Sequence, residues 1–140
     1  MSSSRILITG SRGWTDQASI RAALIRALAD FPDDELVTLV TGACPTGADR
    51  IAESVWATLS AGPTETHPAD WNQHGHRAGY LRNKHMIDLG ADLCLAFLTP
   101  CAKPGCTRGP ADHDSHGTAM TIDLARRAGI PVRIHRQGPQ

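Results

Sequence analysis

The sequence predicts an α/β protein: a three-layer Rossmann-like domain built on a five-stranded, mainly parallel sheet. Short apolar runs without polar alternation are typical of strands that are buried on both faces. Segments with apolar residues at helical spacing lie between these runs. Strands that alternate with helices give a parallel sheet with helices on both faces. With the first strand at the centre, we expect the strand order 3-2-1-4-5.

Length and composition narrow the class of protein. The 140 residues predict a single domain over 1–140, with disordered ends at 1–4 and 137–140. The 14 basic side chains balance the 14 acidic ones, which argues against a broad nucleic-acid or membrane footprint. No apolar run approaches the roughly 20 residues of a membrane span, and the start does not resemble a signal peptide. Four cysteines are too few for a disulfide framework, so we expect a cytoplasmic protein without a membrane partner.

The first strand ends in a glycine turn, and this turn is the first candidate for a binding site. An apolar run from Arg5 leads into Gly10-Ser11-Arg12-Gly13. Glycines allow backbone N–H groups to approach an anion, and the planar guanidinium of Arg12 suits phosphate or carboxylate. The alternative is a tight turn with one surface arginine. Thr15 or Asp16 can then cap a helix. Its expected buried stripe is Ile20, Ala23, Leu24, Ala27, Leu28 and Phe31.

The second strand, 36–41, leads into the second glycine loop, Gly42–Asp49. Its Gly-x4-Gly spacing, between Gly42 and Gly47, mimics a P-loop, but Ala48 and Asp49 stand where lysine and serine or threonine are required, which excludes that kind of NTPase. Asp49 can bind ribose hydroxyls or a base edge, or it can simply place favourable charge at a helix N-terminus, as Glu53 does in the next turn. The expected buried stripe of this helix is Ala48, Ile51, Ala52, Val55 and Leu59.

The middle of the chain contains a short outer strand at 64–67, a polar loop at 68–76 and a helix at 77–89. Trp71 in the loop can stack on a base or plug the edge of the core, and the core interpretation is favoured. The helix is expected to present Ala78, Leu81, His85, Met86 and Leu89 on or near one face. Arg82 and Asn83 lie partly off that face and can point to a pocket or to solvent.

The last third holds an apolar strand at 92–98, a long loop at 99–116, a helix and a final strand at 132–135. The helix opens at Ser115-His116-Gly117-Thr118. The expected strand order places the loops after the first and fourth strands side by side. Gly10–Gly13 and Ser115–Thr118 then flank one crevice at the point where the strand order reverses, with Gly42–Asp49 next to it.

The long loop also contains the ligand set of a tetrahedral zinc site. Two thiolates and two imidazoles are supplied by Cys101, Cys106, His113 and His116. The alternative is a polar loop whose cysteines are incidental. With four protein ligands the zinc would be structural, because no position is left open for water.

Five motifs recur together in one known superfamily. In chain order they are Thr9–Gly13, Gly42–Asp49, Pro68–Trp71, Ala78–Asn83 and Gly117-Thr118. As a set they resemble the SLOG superfamily, in the small single-domain branch related to YspA and YpsA of bacteria and phages. The superfamily groups the DNA-processing protein Smf/DprA with the LOG cytokinin-activating enzymes. The resemblance covers roughly residues 5–134.

The resemblance implies a Rossmann-like fold that binds a nucleotide or a nucleotide-derived ligand. In LOG enzymes a glycine-rich loop ending in Gly-Thr at a helix start holds the phosphate, and a glutamate shortly after it supports cleavage of the base–ribose bond. Here Thr118 and the first helical N–H groups can still meet an anion. The residues that follow are Ala119, Met120 and Thr121, so the glutamate of the LOG type is absent.

These observations favour a binding protein that senses or sequesters a small nucleotide-derived phosphate ligand. An N-glycosidic hydrolase of the phosphoribohydrolase type is the alternative, with an acid drawn from Asp49, Glu53, Asp70 or Asp123. A single-stranded nucleic-acid binder, by analogy with DprA, is the weakest hypothesis, because the chain has no net charge to drive it. LOG relatives tend to dimerise, so the resemblance leaves a homodimer open.

Overall fold

The computed structural model describes residues 3–100 and 116–137. Its described residues contain five strands, which are β1 (Ser3–Gly10), β2 (Leu36–Thr41), β3 (Thr64–Thr66), β4 (Leu93–Leu98) and β5 (Val132–Arg136). They form one sheet in the order β3-β2-β1-β4-β5, and every neighbouring pair is parallel. The predicted fold class and strand order are therefore confirmed.

Helices cover both faces of this sheet. They are α1 (Gln17–Leu28), α2 (Ala48–Leu59), the short α3 (Trp71–His74), α4 (Ala78–Leu89) and α5 (His116–Arg127), with a 3-10 turn at Gly75–Arg77 before α4. Ile6 and Ile8 of β1 pack toward α1 and α2, whereas Leu7 packs toward α4 and α5. This follows from the two-residue alternation of side chains along a strand. All six residues of β4 are buried, as expected for an internal parallel strand.

The first two helices follow the predicted stripes with one omission. Of the two predicted caps for α1, Asp16 is the one observed, because its carboxylate accepts a hydrogen bond from the backbone N–H of Ser19 at 3.1 Å. In α2, Trp56 is buried although no stripe included it, and its indole N–H donates to the carbonyl of Gly62 at 2.9 Å. Ile51 and Leu59 are only partly buried.

Residues 68–76 are not a plain loop, because they contain α3. The carboxylate of Asp70 accepts a hydrogen bond from the backbone N–H of Gln73 at 3.0 Å and so caps this helix. A helix of four residues is too short to show an apolar stripe, so periodicity could not predict it.

The predicted face of α4 is also partly wrong. His85 is exposed and Leu89 is 49% exposed, whereas Ile87 is buried together with Ala78 and Met86. The apolar residues of this helix do not concentrate on one side, so spacing alone did not define which side packs on the sheet.

Of the ends that we predicted as disordered, the structure describes Ser3, Ser4 and Gln137, and these three residues make defined contacts. Ser3 and Ser4 belong to β1, and the Ser4 hydroxyl donates to Glu35 at 2.9 Å. Gln137 donates its backbone N–H to the carbonyl of Leu98 at 3.0 Å, and its side chain pairs with Thr15. The hydrogen bond from Gln137 to Leu98 continues the pairing of β5 with β4. Among the helices of residues 3–100 and 116–137, none is long and apolar enough to cross a membrane.

Candidate functional site

The loops that follow β1 and β4 meet at the carboxyl edge of the sheet. The backbone N–H of Ser11 donates to the carbonyl of Phe97 at 2.9 Å, and the hydroxyls of Thr99 and Ser11 are hydrogen bonded at 2.6 Å. The Ser11 hydroxyl also accepts from the backbone N–H of Gly13 at 3.1 Å. These N–H groups of the first glycine turn therefore already have protein acceptors. Ser11 ties two loops together at the point where the strand order reverses.

Close packing explains Gly10, Gly47 and Ala48. A Cβ atom on Gly10 would lie 2.4 Å from the Cβ of Ala48, and one on Gly47 would lie 2.3 Å from the carbonyl oxygen of Ser11. Gly47 also has a φ of +77°, which side chains disfavour. The backbone N–H of Ala48 donates to the Ser11 carbonyl at 3.1 Å. Gly47 and Ala48 hold the start of α2 against the end of β1, and their contact with a ligand stays a prediction.

Asp49 organises the second glycine loop. It is 5% exposed, and its Oδ2 accepts hydrogen bonds from the backbone N–H groups of Gly42 at 3.1 Å and Cys44 at 3.3 Å. Burial raises the pKa of the Asp49 carboxyl, against the opposing effects of the Cys44 N–H and the Arg82 guanidinium. Burial also raises the pKa of the Cys44 thiol, and the Asp49 carboxylate adds to that effect. The two bonded amides give Asp49 a structural task, and its contact with ribose or a base stays a prediction.

Arg82 reaches the same loop from α4. Its guanidinium donates to the carbonyl of Gly42 and to that of His67 at 3.4 Å, and its Nε donates to Oδ1 of Asn83 at 2.6 Å. A Cβ atom on Gly42 would lie 2.5 Å from Nη1 of Arg82, so a larger residue at this position would require the guanidinium to move. The charge of Arg82 is therefore committed to acceptors within the protein.

Trp71 and Arg12 are placed differently. Trp71 is 50% exposed, so the favoured prediction that it plugs the core is wrong. Its ring edge lies against Gly79, where an added Cβ would be 3.5 Å from Cη2. The guanidinium carbon of the exposed Arg12 lies 5.8 Å from the centroid of the indole, within the range of a cation–π contact. Arg12 and Trp71 therefore form a wall of the site whose side chains make few polar contacts with the other described residues.

The first turn of α5 faces the same space. The helix begins at His116, so Gly117 and Thr118 lie among its first residues. An added Cβ on Gly117 would meet no atom of the described residues within 4 Å, and the hydroxyl of Thr121 donates to the Gly117 carbonyl at 3.0 Å. Ser115, the other predicted residue of this turn, lies outside the described residues.

Together these elements enclose a cavity of about 630 Å³. The predicted ligand residues that line it are Gly10, Ser11, Arg12, Gly13, Gly42, Asp49, Trp71, Arg82, Asn83, Gly117 and Thr118. The prediction missed Tyr80 and Thr99 in this wall. Tyr80 lies three positions before Asn83 on α4, and Thr99 follows β4 directly. Helical spacing and strand ends were signals that could have found them.

A smaller cavity of about 290 Å³ lies on the other side of α3. It is lined by His67, His74, His85 and Asp70, and Arg82 contributes to both cavities. His67 contacts Glu65 at 2.7 Å, and Glu65 also pairs with Arg5 through two hydrogen bonds of 2.7 and 2.8 Å. This ion-pair cluster supports β3, which ends one residue before His67.

The predicted zinc ligands Cys101, Cys106 and His113 lie outside the described residues, as does the side chain of His116. Among the described residues no group of three or more histidine, cysteine or acidic side chains is arranged to hold a metal ion. Zinc binding by the long loop therefore stays a prediction. Metal analysis of protein purified without a histidine tag tests it.

The fold and the cavity define a Rossmann-like α/β protein with a ligand-sized site at the reversal of strand order. Residues 4–74 match the family model described as the YspA, cpYpsA-related SLOG family. The chain is also 41% identical over 132 residues to the Gene 61 protein of Mycobacterium phage D29, an alignment that covers 91% of this chain and 93% of the relative. No solved structure matches the chain significantly. The chain belongs to the YspA, cpYpsA-related SLOG family, as its motifs indicated.

Proposed function

We propose that this protein binds a nucleotide or nucleotide-derived phosphate ligand in the 630 Å³ cavity, with the phosphate at the start of α5. One observation carries the proposal. Gly117 and Thr118, in the first turn of a twelve-residue helix, line the same cavity as the cation Arg12.

The physics of a helix start favours an anion there. The first N–H groups of a helix have no partner within the helix, and the aligned peptide dipoles place about half a positive charge at this end. No atom of residues 3–100 or 116–137 would lie within 4 Å of a Cβ on Gly117, so these residues leave room for an anion to approach the backbone. The Thr118 hydroxyl is a further hydrogen-bonding group at the same turn.

The size and charge of the cavity fit such a ligand. Small-molecule sites occupy about 300–1,000 Å³, a range that includes this cavity. In the described part of the chain Arg12 forms no ion pair with a carboxylate, whereas Arg5, Arg127 and Arg133 each do. Membership of a SLOG family favours a nucleotide among the anions that a cavity of this kind would accept.

The acidic residues favour binding over hydrolysis. Of the four acids considered as substitutes for the missing glutamate, Glu53 accepts from the Thr41 hydroxyl at 2.7 Å and Asp70 caps α3. Asp123 pairs with Arg127 at 3.0 Å on the surface of α5. The remaining acid is Asp49, which is the carboxylate among the described residues that line the cavity. Its Oδ2 accepts hydrogen bonds from two backbone N–H groups.

The test uses an isosteric pair at Gly117. In Gly117→Asp the new carboxylate lies at the proposed phosphate site, and in Gly117→Asn a neutral side chain of the same shape does. We expect Gly117→Asp to weaken binding of nucleoside monophosphates by about 1–4 kcal/mol through repulsion between like charges. Acidic residues are favourable in a first helical turn, so the free energy of unfolding should not fall. Titration calorimetry measures the first quantity and urea unfolding the second.

Equal nucleotide affinity in the Asp and Asn variants would show that the phosphate does not bind at the start of α5. Nucleoside monophosphates, NAD and ADP-ribose form the probe panel, and the absence of any thermal shift of the unmodified protein at millimolar concentration would contradict the proposal. Each ligand that binds is then incubated with the protein and assayed for free base. Released base would establish hydrolysis, which the arrangement of acids does not favour.

A further inference from the structure

We infer that Trp71 and Arg12 form a clamp for the aromatic base of the ligand, so that the cavity selects nucleoside phosphates over sugar phosphates. This inference rests on the proposed function and goes beyond it, because it assigns the other end of the ligand. Trp71 differs from the other two tryptophans of the chain, which are buried.

Trp71 is held in place and yet left open. Trp14 and Trp56 are 3% and 1% exposed, whereas Trp71 is 50% exposed and lines the cavity. It is the first residue of α3, whose start is capped by Asp70, and its ring edge packs against Gly79 of α4. A large apolar surface that the fold positions but does not bury suits a partner outside the chain.

The spacing between the indole and the guanidinium is close to that of a sandwich. A base between two planar groups needs about 7 Å, which is two contacts of about 3.5 Å each. The guanidinium carbon of Arg12 lies 5.8 Å from the indole centroid, so the guanidinium must move outward by roughly 1 Å and lie parallel to the indole to hold a base. Arg12 is an exposed, flexible side chain, and it makes no ion pair within the described residues that such a movement would break.

The chemistry of the two faces suits a nucleobase. Every base offers a π face to an indole, and arginine adds a cation–π contact from the opposite side. Neither contact requires a particular hydrogen-bonding edge, so the clamp recognises a base but does not distinguish one base from another. A phosphate on a bare sugar would reach α5 but would leave the clamp unused.

The experiment compares two classes of probe on matched variants. The probes are the four ribonucleoside 5′-monophosphates and ribose 5-phosphate, and the variants are Trp71→Ala, Trp71→Phe and, as the control, Ile25→Ala. Ile25 is 48% exposed and does not line the cavity. We expect Trp71→Ala to weaken the binding of at least one monophosphate by tenfold or more. The affinity for ribose 5-phosphate should change by less than about twofold. Trp71→Phe should recover part of the loss, and Ile25→Ala should leave both affinities unchanged.

Tryptophan fluorescence gives an independent signal. Trp71 is the exposed indole among three tryptophans, so a stacked base should quench it in the unmodified protein and leave Trp71→Phe unquenched. Circular dichroism of each variant checks folding, and a half-exposed side chain is a small loss to the fold.

The outcomes separate this inference from the proposed function. Monophosphates that bind with the same affinity to Trp71→Ala as to the unmodified protein would overturn the clamp and leave phosphate binding at α5 intact. An equal loss for ribose 5-phosphate would also overturn it, because Trp71 would then act on the whole cavity. If neither class of probe binds the unmodified protein, the proposed function fails, and the clamp fails with it.

Discussion

Two walls of the main cavity differ in how their polar groups are paired. The paired wall consists of Gly42, Asp49 and Arg82, where the carboxylate accepts from two backbone N–H groups and the guanidinium donates to carbonyls. The open wall consists of Arg12, Trp71, Gly117 and Thr118. Here the Arg12 guanidinium lies over the exposed Trp71 ring, and α5 begins. Both walls line the same space.

The difference shows that an arginine at a sheet edge has two distinct uses. Arg12 and Arg82 are the same residue type and contact the same cavity, but among the described residues only Arg82 has donors bound to backbone carbonyls of neighbouring loops. Hydrogen bonds that involve a charged group are worth about 1.5–3 kcal/mol, so Arg82 acts on the stability of the site. Arg12 contacts the exposed ring of Trp71, which leaves its charge available to a ligand.

The largest expected effect in the paired wall comes from Asp49→Ala. The substitution leaves two N–H groups of the second glycine loop without their acceptor, so we expect the free energy of unfolding to fall by about 2–4 kcal/mol. Urea unfolding measures this change. Asp49→Asn keeps an acceptor of the same shape and should lose less.

Asp34→Ala is the matched control for this prediction, because Asp34 is an exposed acid and its removal should change stability by less than about 0.5 kcal/mol. If Asp49→Ala unfolds like the unmodified protein and loses nucleotide binding, Asp49 belongs to the open wall and the comparison fails.

A smaller effect is expected where the paired wall is supported from β3. Hydrogen bonds from Arg5 and His67 lower the pKa of Glu65 from 4.5 to about 2. Because the folded pKa lies below the unfolded value, this stabilisation is present above about pH 4.5 and is lost as the pH falls toward 2. The Glu65 side chain is 35% exposed, so its contribution is only about 0.5–1 kcal/mol.

Glu65→Gln should therefore be less stable than the unmodified protein at about pH 7 and should lose less stability between about pH 5 and about pH 2. Thermal unfolding across this pH range measures the difference. Asp33→Asn, a change at an exposed acid, should keep the acid dependence of the unmodified protein. A Glu65→Gln variant with an unchanged acid dependence would show that the ion pair adds nothing to the support of the paired wall.

The fold was more predictable than the site. Apolar runs such as 36–41 and 92–98 report burial on both faces, and that information is enough to give a parallel sheet and its order. The acceptors of Arg82 lie in other loops, 40 and 15 residues away along the chain, so no local pattern around Arg82 indicates them. Trp71 was assigned to the core because a lone tryptophan is usually buried, but the capped turn of α3 holds it at the cavity.

Local signals for part of the site were present in the sequence. The spacing from Asp70 to Gln73 is that of a capped helical turn, and this signal would have predicted α3. The packing of Gly10 on Ala48 depends on two segments that meet only in the folded protein. Their close approach therefore had no signal in the sequence.

The division of labour between Arg12 and Arg82 is tested most directly by measuring stability and nucleotide binding in Arg12→Ala and Arg82→Ala together. Arg12→Ala should change the free energy of unfolding by less than about 0.5 kcal/mol and weaken nucleoside monophosphate binding by about 0.5–2 kcal/mol, the range of a cation–π contact. Arg82→Ala should lower the free energy of unfolding by about 1.5–3 kcal/mol. An Arg12→Ala protein that binds nucleotides with unchanged affinity, or that loses as much stability as Arg82→Ala, would contradict the account.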